Sequence, residues 1–460
     1  MPPPVPESHP KPAEFCVPRF ANLADDLDKA LRSALTFRTR VLIKVCGNPM
    51  PSRNRERVLS VQSIAPRKAG PAQGITLVTV AFLPIVAIVS MFPAVPAIIE
   101  HFAARDPAAI AKVPAMVSAP GLTIALLALI AGLLVDRFGR RRLLLVSTAL
   151  YGFVGVAPFF LDSIDQIYVS RLALGVAEAA ILTTLNTLVG DYWDEKDRRF
   201  WLTIQGLAGP FLGSAVIFLS GYLTAVQWNG IFLVYAVGFP AFLASAAFLY
   251  EPASDATARK MLGMDEGAEP FPWRNVLTYA GVTLLGSALY YVFIINGGIV
   301  WQEIGVKDPA AIGRMTSIPS LFVMVGAGVF WFTGKMGPRW QLFSLFALLG
   351  AGLVTIGLIH DWRGMVVGMA IQQTGAGMAV PCLVAWAQSH LPFAHRGRGM
   401  GIWTACFFFG QFSSPLLVSL LREHFGHMQG AFVAAGVFGL VCAILVLIVV
   451  SGREKAPTGA

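Results

Sequence analysis

The sequence predicts an all-α polytopic membrane protein with twelve transmembrane helices in two pseudo-symmetric six-helix halves. Three observations predict it. The chain has 460 residues, of which 55% are hydrophobic and only 13% charged, whereas soluble proteins carry about 25% charged residues. From residue 74 onward the apolar residues gather into twelve runs, each long enough to cross about 30 Å of hydrocarbon as a helix. The polar stretch "EPASDATARKMLGMDEGAEPFPWR" falls midway and divides the runs six and six. Gly and Pro are frequent inside the runs, as helices in lipid tolerate.

Residues 1–73 form a polar, basic leader. Within it, "FANLADDLDKALRSAL" places Leu23, Leu27, Leu31 and Leu35 four apart, the spacing of one short amphipathic helix. No signal-peptide core is present, and Met50 is an alternative start. The N-terminal half, residues 74–250, holds runs at 74–98, 113–135, 142–161, 164–189, 200–223 and 229–250. The third and fourth runs meet at "DSIDQ". A linker at 251–274 follows. The C-terminal half, residues 275–451, holds runs at 275–300, 311–333, 340–359, 363–389, 399–421 and 429–451, before a tail at 452–460. Lys and Arg concentrate in the leader and in the connections on its side of the membrane, so both termini are expected to be cytoplasmic. The net charge of +9 is spread between apolar runs and makes no single basic face, which argues against nucleic acid.

One connection is unusually charged. "GLLVDRFGRRR", between the second and third runs, carries Gly132, Asp136, Arg137, Gly139, Arg140 and Arg141. Positive-inside topology accounts for the arginines but not for Asp136 or the glycines. The connection "FWFTGKMGPRW", between the eighth and ninth runs, is a faint copy in which Gly337 falls where Gly139 does and Gly334 replaces the acid. The fifth and eleventh runs also echo each other: each opens with a Trp, Trp201 and Trp403, followed by a Gly and Pro pattern. Two related halves around a central site are the architecture of many secondary transporters.

The fourth run, "YVSRLALGVAEAAILTTLNTLVGDYW", carries Arg171 and Glu178 well inside the membrane. A charge at that depth costs several kcal/mol and marks a functional site by default. Seven residues apart, the two share a helix face and are displaced by roughly 10 Å along the axis. Burial favours the neutral form of a carboxyl and a nearby cation favours the charged form. Glu178 is therefore the candidate that takes and releases a coupling proton, with Arg171 as its counterweight. The competing reading is a structural pair.

The spacing of Gly132-x-x-x-Asp136-Arg137-x-Gly139-Arg140-Arg141, together with its place between the second and third runs, resembles the signature loop of the major facilitator superfamily. The resemblance covers residues 74–451. It implies a loop that latches the halves on the cytoplasmic side, with Asp136 near the start of the eleventh span and Arg140 paired to Asp191. Arg171-x-x-x-Gly175 resembles the family's fourth-span motif, in which the Arg is linked to proton transfer. Gly209-Pro210-x-x-Gly213 resembles the antiporter motif of its exporters and implies a kinked fifth span packed closely on its neighbour. Gln205 and Ser214 stand where that motif has further small residues.

The remaining cavity candidates are Asn186, Gln205, Tyr290, Asn296, Gln372, Gln373, Trp386 and Gln411, with Tyr291, Trp403 and Phe407–Phe409 as aromatic walls. As a set they favour an amphipathic or aromatic substrate over a sugar. His101, His360, His390, His395, His424 and His427 fall near span ends and read as surface residues. The five Cys form no CxxC and read as small apolar residues. No GxxxxGK[ST], HExxH or GxSxG is present, which argues against ATP-driven transport and against an enzyme. The expected function is export of small organic molecules coupled to a proton gradient, with no cofactor, by a monomer in a bacterial inner membrane. The alternatives are a proton symporter importing an organic acid or other nutrient, and a transporter-like receptor that does not transport.

Overall fold

The computed structural model describes residues 69–128, 130, 137–252, 271–391 and 395–449. The expectations for the leader helix, for Gly132 and Asp136, and for most of the linker and tail fall outside the described residues.

Among the described residues, twelve helices are long and apolar enough to cross a membrane. They are Pro71–Val89, Ala109–Leu127, Arg140–Phe160, Ile164–Tyr192, Lys196–Val226, Gly230–Phe248, Trp273–Glu303, Pro309–Gly334, Pro338–Leu358, Trp362–Ser389, Arg398–Phe425 and Met428–Ile448. Each coincides with one of the twelve apolar runs. Proline accounts for the main departures. The first run breaks at Ser90–Ala94, in "MFPAVP", and resumes as a short helix at Val95–Ala103. The eighth span breaks after Pro319, leaving Pro309–Ser320 and Val323–Gly334. In both places the ring removes a donor and crowds the preceding turn. The third and fourth spans separate at 161–163, within the stretch where their runs touched. The fourth and fifth spans extend further than their apolar cores, because Asp194 ends the turn between them and its side chain caps the Asp197 N–H at 3.0 Å.

The internal repeat is visible in the backbone. Gly139 and Gly337 precede the third and ninth spans with φ of +82° and +98°, a region that residues with a Cβ enter at a cost. Gly152 of the third span meets Gly238 of the sixth backbone to backbone, and Gly350 of the ninth meets Gly436 of the twelfth in the same way. All three correspondences are separated by the same number of residues. With no hydrophobic force between helices in lipid, such small-residue contacts let helices approach closely enough to gain packing energy.

The halves meet along three seams. The second and eleventh spans touch where Gly121 faces the Phe408 carbonyl and Gln411, and where the Ser118 hydroxyl lies 3.4 Å from the Phe412 carbonyl. The fifth and eighth cross at Gly221 and Gly313, and the Ser214 hydroxyl donates to the Ser317 carbonyl at 2.6 Å. The first and seventh meet where Phe92 packs on Gly297, Gly298 and Phe293, with ring centroids of Phe92 and Phe293 5.0 Å apart. The last two seams lie toward the end of the bundle opposite the signature loop, and the first runs on to the loop end, where Gly401 faces the Ala128 carbonyl. At the signature-loop end of the fourth span, Asn186 and Gly190 are exposed.

Candidate functional site

Arg171 and Glu178 are both buried, 1% and 3% exposed, at the middle of the Ile164–Tyr192 helix. The local sequence seats this helix tightly: a Cβ on Gly175, between the two charges, would strike the Pro120 carbonyl of the second span. The Arg171 guanidinium lies over the rings of Phe232 and Tyr235, 5.1 and 4.6 Å from their centroids, and donates to the Gly155 carbonyl at 3.2 Å. A desolvated cation over aromatic faces gains about 2 kcal/mol. The two charges do not form a direct ion pair within 4 Å among the described residues. Glu178 nevertheless lies within electrostatic reach of Arg171 and of Tyr151, Tyr235 and Tyr291. Tyr151 and Tyr235 spend their hydroxyls on carbonyls of the first span, Leu83 at 2.7 Å and Ala87 at 2.8 Å. The Glu178 Oε1 has no hydrogen-bond partner among the described residues. Tyr291 belongs to the other half, so the field of Glu178 reaches across to the C-terminal half.

The other candidates scatter. Gln205 lines a groove between the first and fifth spans with Val78, Ala81, Phe82, Ile85, Ala208, Gly209 and Leu212. Gly209 and Gly213 face Ile85 at ordinary van der Waals distance, 3.8 and 4.0 Å for an added Cβ, so the close packing implied by the antiporter motif is not made there. In the fifth span it falls instead at Gly221. Asn296 bonds within its own helix to the Val292 carbonyl at 3.0 Å. Gln372 is fully buried against Gly352 of the ninth span and accepts from Gln373 at 3.0 Å; its amide reaches toward the Tyr290 carbonyl at 3.5 Å. Gln411 is an interface residue rather than a cavity residue, because its side chain lies across Gly121. Asn186 is exposed near the end of its helix. Trp386 is buried and meets His390 at the end of the tenth span, with ring centroids 5.2 Å apart. Tyr290 packs edge to face on Tyr291 at 4.6 Å.

At the signature-loop end, Arg140 pairs with Asp191 through Nε. Arg137 extends over Phe138. A residue missed in the sequence completes this cluster: the Glu251 carboxylate accepts from the Arg140 and Arg141 backbone N–H groups at 2.7 and 2.8 Å and caps the third span. Arg141 in turn donates to the Leu249 and Ala246 carbonyls at 2.7 and 2.8 Å, at the end of the sixth span. The opposite helix termini thus hold each other. The only signal in the sequence was an acid just after the sixth run. Glu251→Gln is expected to lower stability by about 1 kcal/mol, read as an earlier melting transition in detergent. Of the histidines expected at the surface, His360 is exposed and His101 is half-buried, and each engages a neighbouring residue. His101 stacks on Trp228 at 4.1 Å, and His360 bonds Gln429 at 3.0 Å. Both lie where a span end folds onto its neighbour.

Comparison with known proteins agrees with this architecture. The family model for the Major Facilitator Superfamily matches residues 77–336 and 276–460. The chain is 25% identical over 340 residues to the 3-(3-hydroxy-phenyl)propionate transporter of Escherichia coli (strain K12), covering 71% of this chain and 82% of that one. It is also 25% identical over 367 residues to a quinolone resistance transporter of Acinetobacter baumannii, with the same coverages. Among solved structures, a mutant of the nucleoside transporter NupG superposes with a TM-score of 0.63 at 14% identity, over 82% of this chain and 99% of the other, a likeness of fold. The chain belongs to the Major Facilitator Superfamily: it is a multi-pass membrane transporter and not an enzyme.

Proposed function

We propose that this transporter carries a small organic acid across a bacterial inner membrane together with a proton, as a monomer by alternating access. The carrying observation is the buried charge set of the fourth span, Arg171 and Glu178. A protonated Glu178 leaves Arg171 as the net local charge, which favours entry of a carboxylate. Loss of the proton restores neutrality without the anion and favours release. Substrate and proton then travel in the same direction. The bias of basic residues supports a cytoplasmic signature loop. The E. coli relative, named for a carboxylic acid, supports this reading.

A second reading, proton-driven export of apolar compounds, draws on Gly209-Pro210-x-x-Gly213 and on the resistance transporter. Purified protein in liposomes, with an imposed pH gradient and a panel of labelled aromatic and aliphatic acids, separates the two. Acid accumulation that a protonophore abolishes is expected. Gradient-dependent movement of apolar dyes with no acid uptake would replace the first reading by the second.

A further inference from the structure

Buried aromatic hydroxyl and indole groups in this protein fall into two sets. In the first, the polar atom is tied to the fold. Tyr151 donates to Leu83, Tyr235 to Ala87, Tyr279 to Gly399 and Tyr192 to Tyr250, each to a backbone carbonyl, and the Trp301 indole donates to Thr316. A buried donor left unmade costs free energy, so this is the expected arrangement. In the second set the polar atom is unspent. Among the described residues, the buried indole N–H groups of Trp386 and Trp403 have no acceptor, and the hydroxyls of half-buried Tyr290 and of Tyr291 make no hydrogen bond. Trp386 stands apart, against His390 at the end of its span.

The other three residues of the second set belong to one cluster, joined by Phe407. Trp403 stacks on Phe407 at 5.2 Å with an interplanar angle of 19°. Phe407 meets Tyr291 at 5.9 Å and Tyr290 at 6.2 Å, and the tyrosines meet each other edge to face at 4.6 Å. The backbone of the seventh and eleventh spans fixes this arrangement: the Ser287 hydroxyl donates to the Phe407 carbonyl at 2.5 Å, and Gly410 sits against Ser287. Tyr291 lies within electrostatic reach of Glu178 in the N-terminal half.

We infer that Tyr290, Tyr291, Trp403 and Phe407 form the C-terminal half's share of the substrate site and select an aromatic carboxylate that bears a ring hydroxyl. The inference rests on the organic-acid reading above and names the class of acid. The ring lies against the aromatic cluster, where edge and face contacts favour another π-system over a saturated ring. The carboxylate is directed to the N-terminal half, toward Arg171 and Glu178. The ring hydroxyl accepts from the Trp403 indole. A ligand held by both halves favours a state in which they close around it.

The test compares benzoate, cyclohexanecarboxylate and 4-hydroxybenzoate as competitors of labelled benzoate uptake in liposomes. Benzoate and cyclohexanecarboxylate share charge and similar size and differ in aromaticity. In the wild type, benzoate is expected to compete about tenfold better than the saturated acid, and 4-hydroxybenzoate better still. Phe407→Leu should erase the first preference. Trp403→Phe keeps a ring in the stack and should erase only the second. Trp403→Phe also tests the assignment if Phe407→Leu fails to reach the membrane. Equal competition by all three acids in the wild type, or preferences unchanged in the variants, overturns the inference while leaving acid transport standing. No saturable uptake of any acid removes the acid reading and this assignment with it.

Discussion

Glu178→Gln is expected to abolish gradient-driven accumulation while the protein stays folded in the membrane. The amide matches the carboxylic acid in volume and cannot release a proton. The substitution therefore mimics the protonated form of Glu178 and removes the step proposed to couple the two fluxes. Substrate exchange across the membrane, which needs no net proton movement, should persist in the variant. A coupled rate near background with exchange retained is the expected pair of results. Because the Glu178 Oε1 has no partner among the described residues, little structure depends on the charge, and the melting temperature should scarcely move. Wild-type accumulation in Glu178→Gln would remove this residue from the coupling mechanism.

Arg171 is expected to show the opposite division, with both stability and transport affected. Its guanidinium fills buried space between Gly155, Phe232 and Tyr235. Arg171→Gln loses the cation over two rings and leaves a partly filled space, a loss of about 2–4 kcal/mol. It also removes the buried cation proposed to attract the anionic substrate, so transport should fall to background. Arg171→Lys retains the charge and loses the planar contact. It should melt early but keep measurable acid uptake with a raised KM. Melting in detergent and initial uptake rates, read together, check both halves of this prediction. Arg171→Gln that melts and transports as the wild type does would show that the charge serves neither purpose.

The sequence made the architecture legible because lipid imposes a length and a composition on every span, and twelve runs met that standard. Repeat symmetry was legible at Gly139 and Gly337 because a turn that needs positive φ restricts the residue that can occupy it. Arg171 and Glu178 were legible because a charge inside an apolar run is costly and stands out against its neighbours. What the sequence hid was partnership. Glu251 caps a helix more than one hundred residues earlier, and nothing local to it says so. Gln411 and Gln372 look like cavity groups in a string of letters, yet each is pressed against a glycine of a neighbouring span. His101 looked like a surface residue until its stacking on Trp228 was visible. The unspent indole of Trp403 becomes informative only once most of the other buried aromatics are seen to be satisfied.

The seams between the halves have a mechanical consequence. At Gly221 and Gly313 the surfaces in contact are main chain, and at Gly121 and Gly298 a carbonyl of the other half meets the glycine beside one side chain at each. A joint made of interlocked side chains must reset many rotamers each time it turns. A joint of smooth backbone has few rotamers to reset and little entropy to lose. The chain has placed its bulk elsewhere, in the knobs that hold each half rigid, and has left bearing surfaces where the halves must swing. Rocking on such bearings should have a shallow temperature dependence, and the steeper part of the transport barrier should belong to the desolvation of substrate and proton.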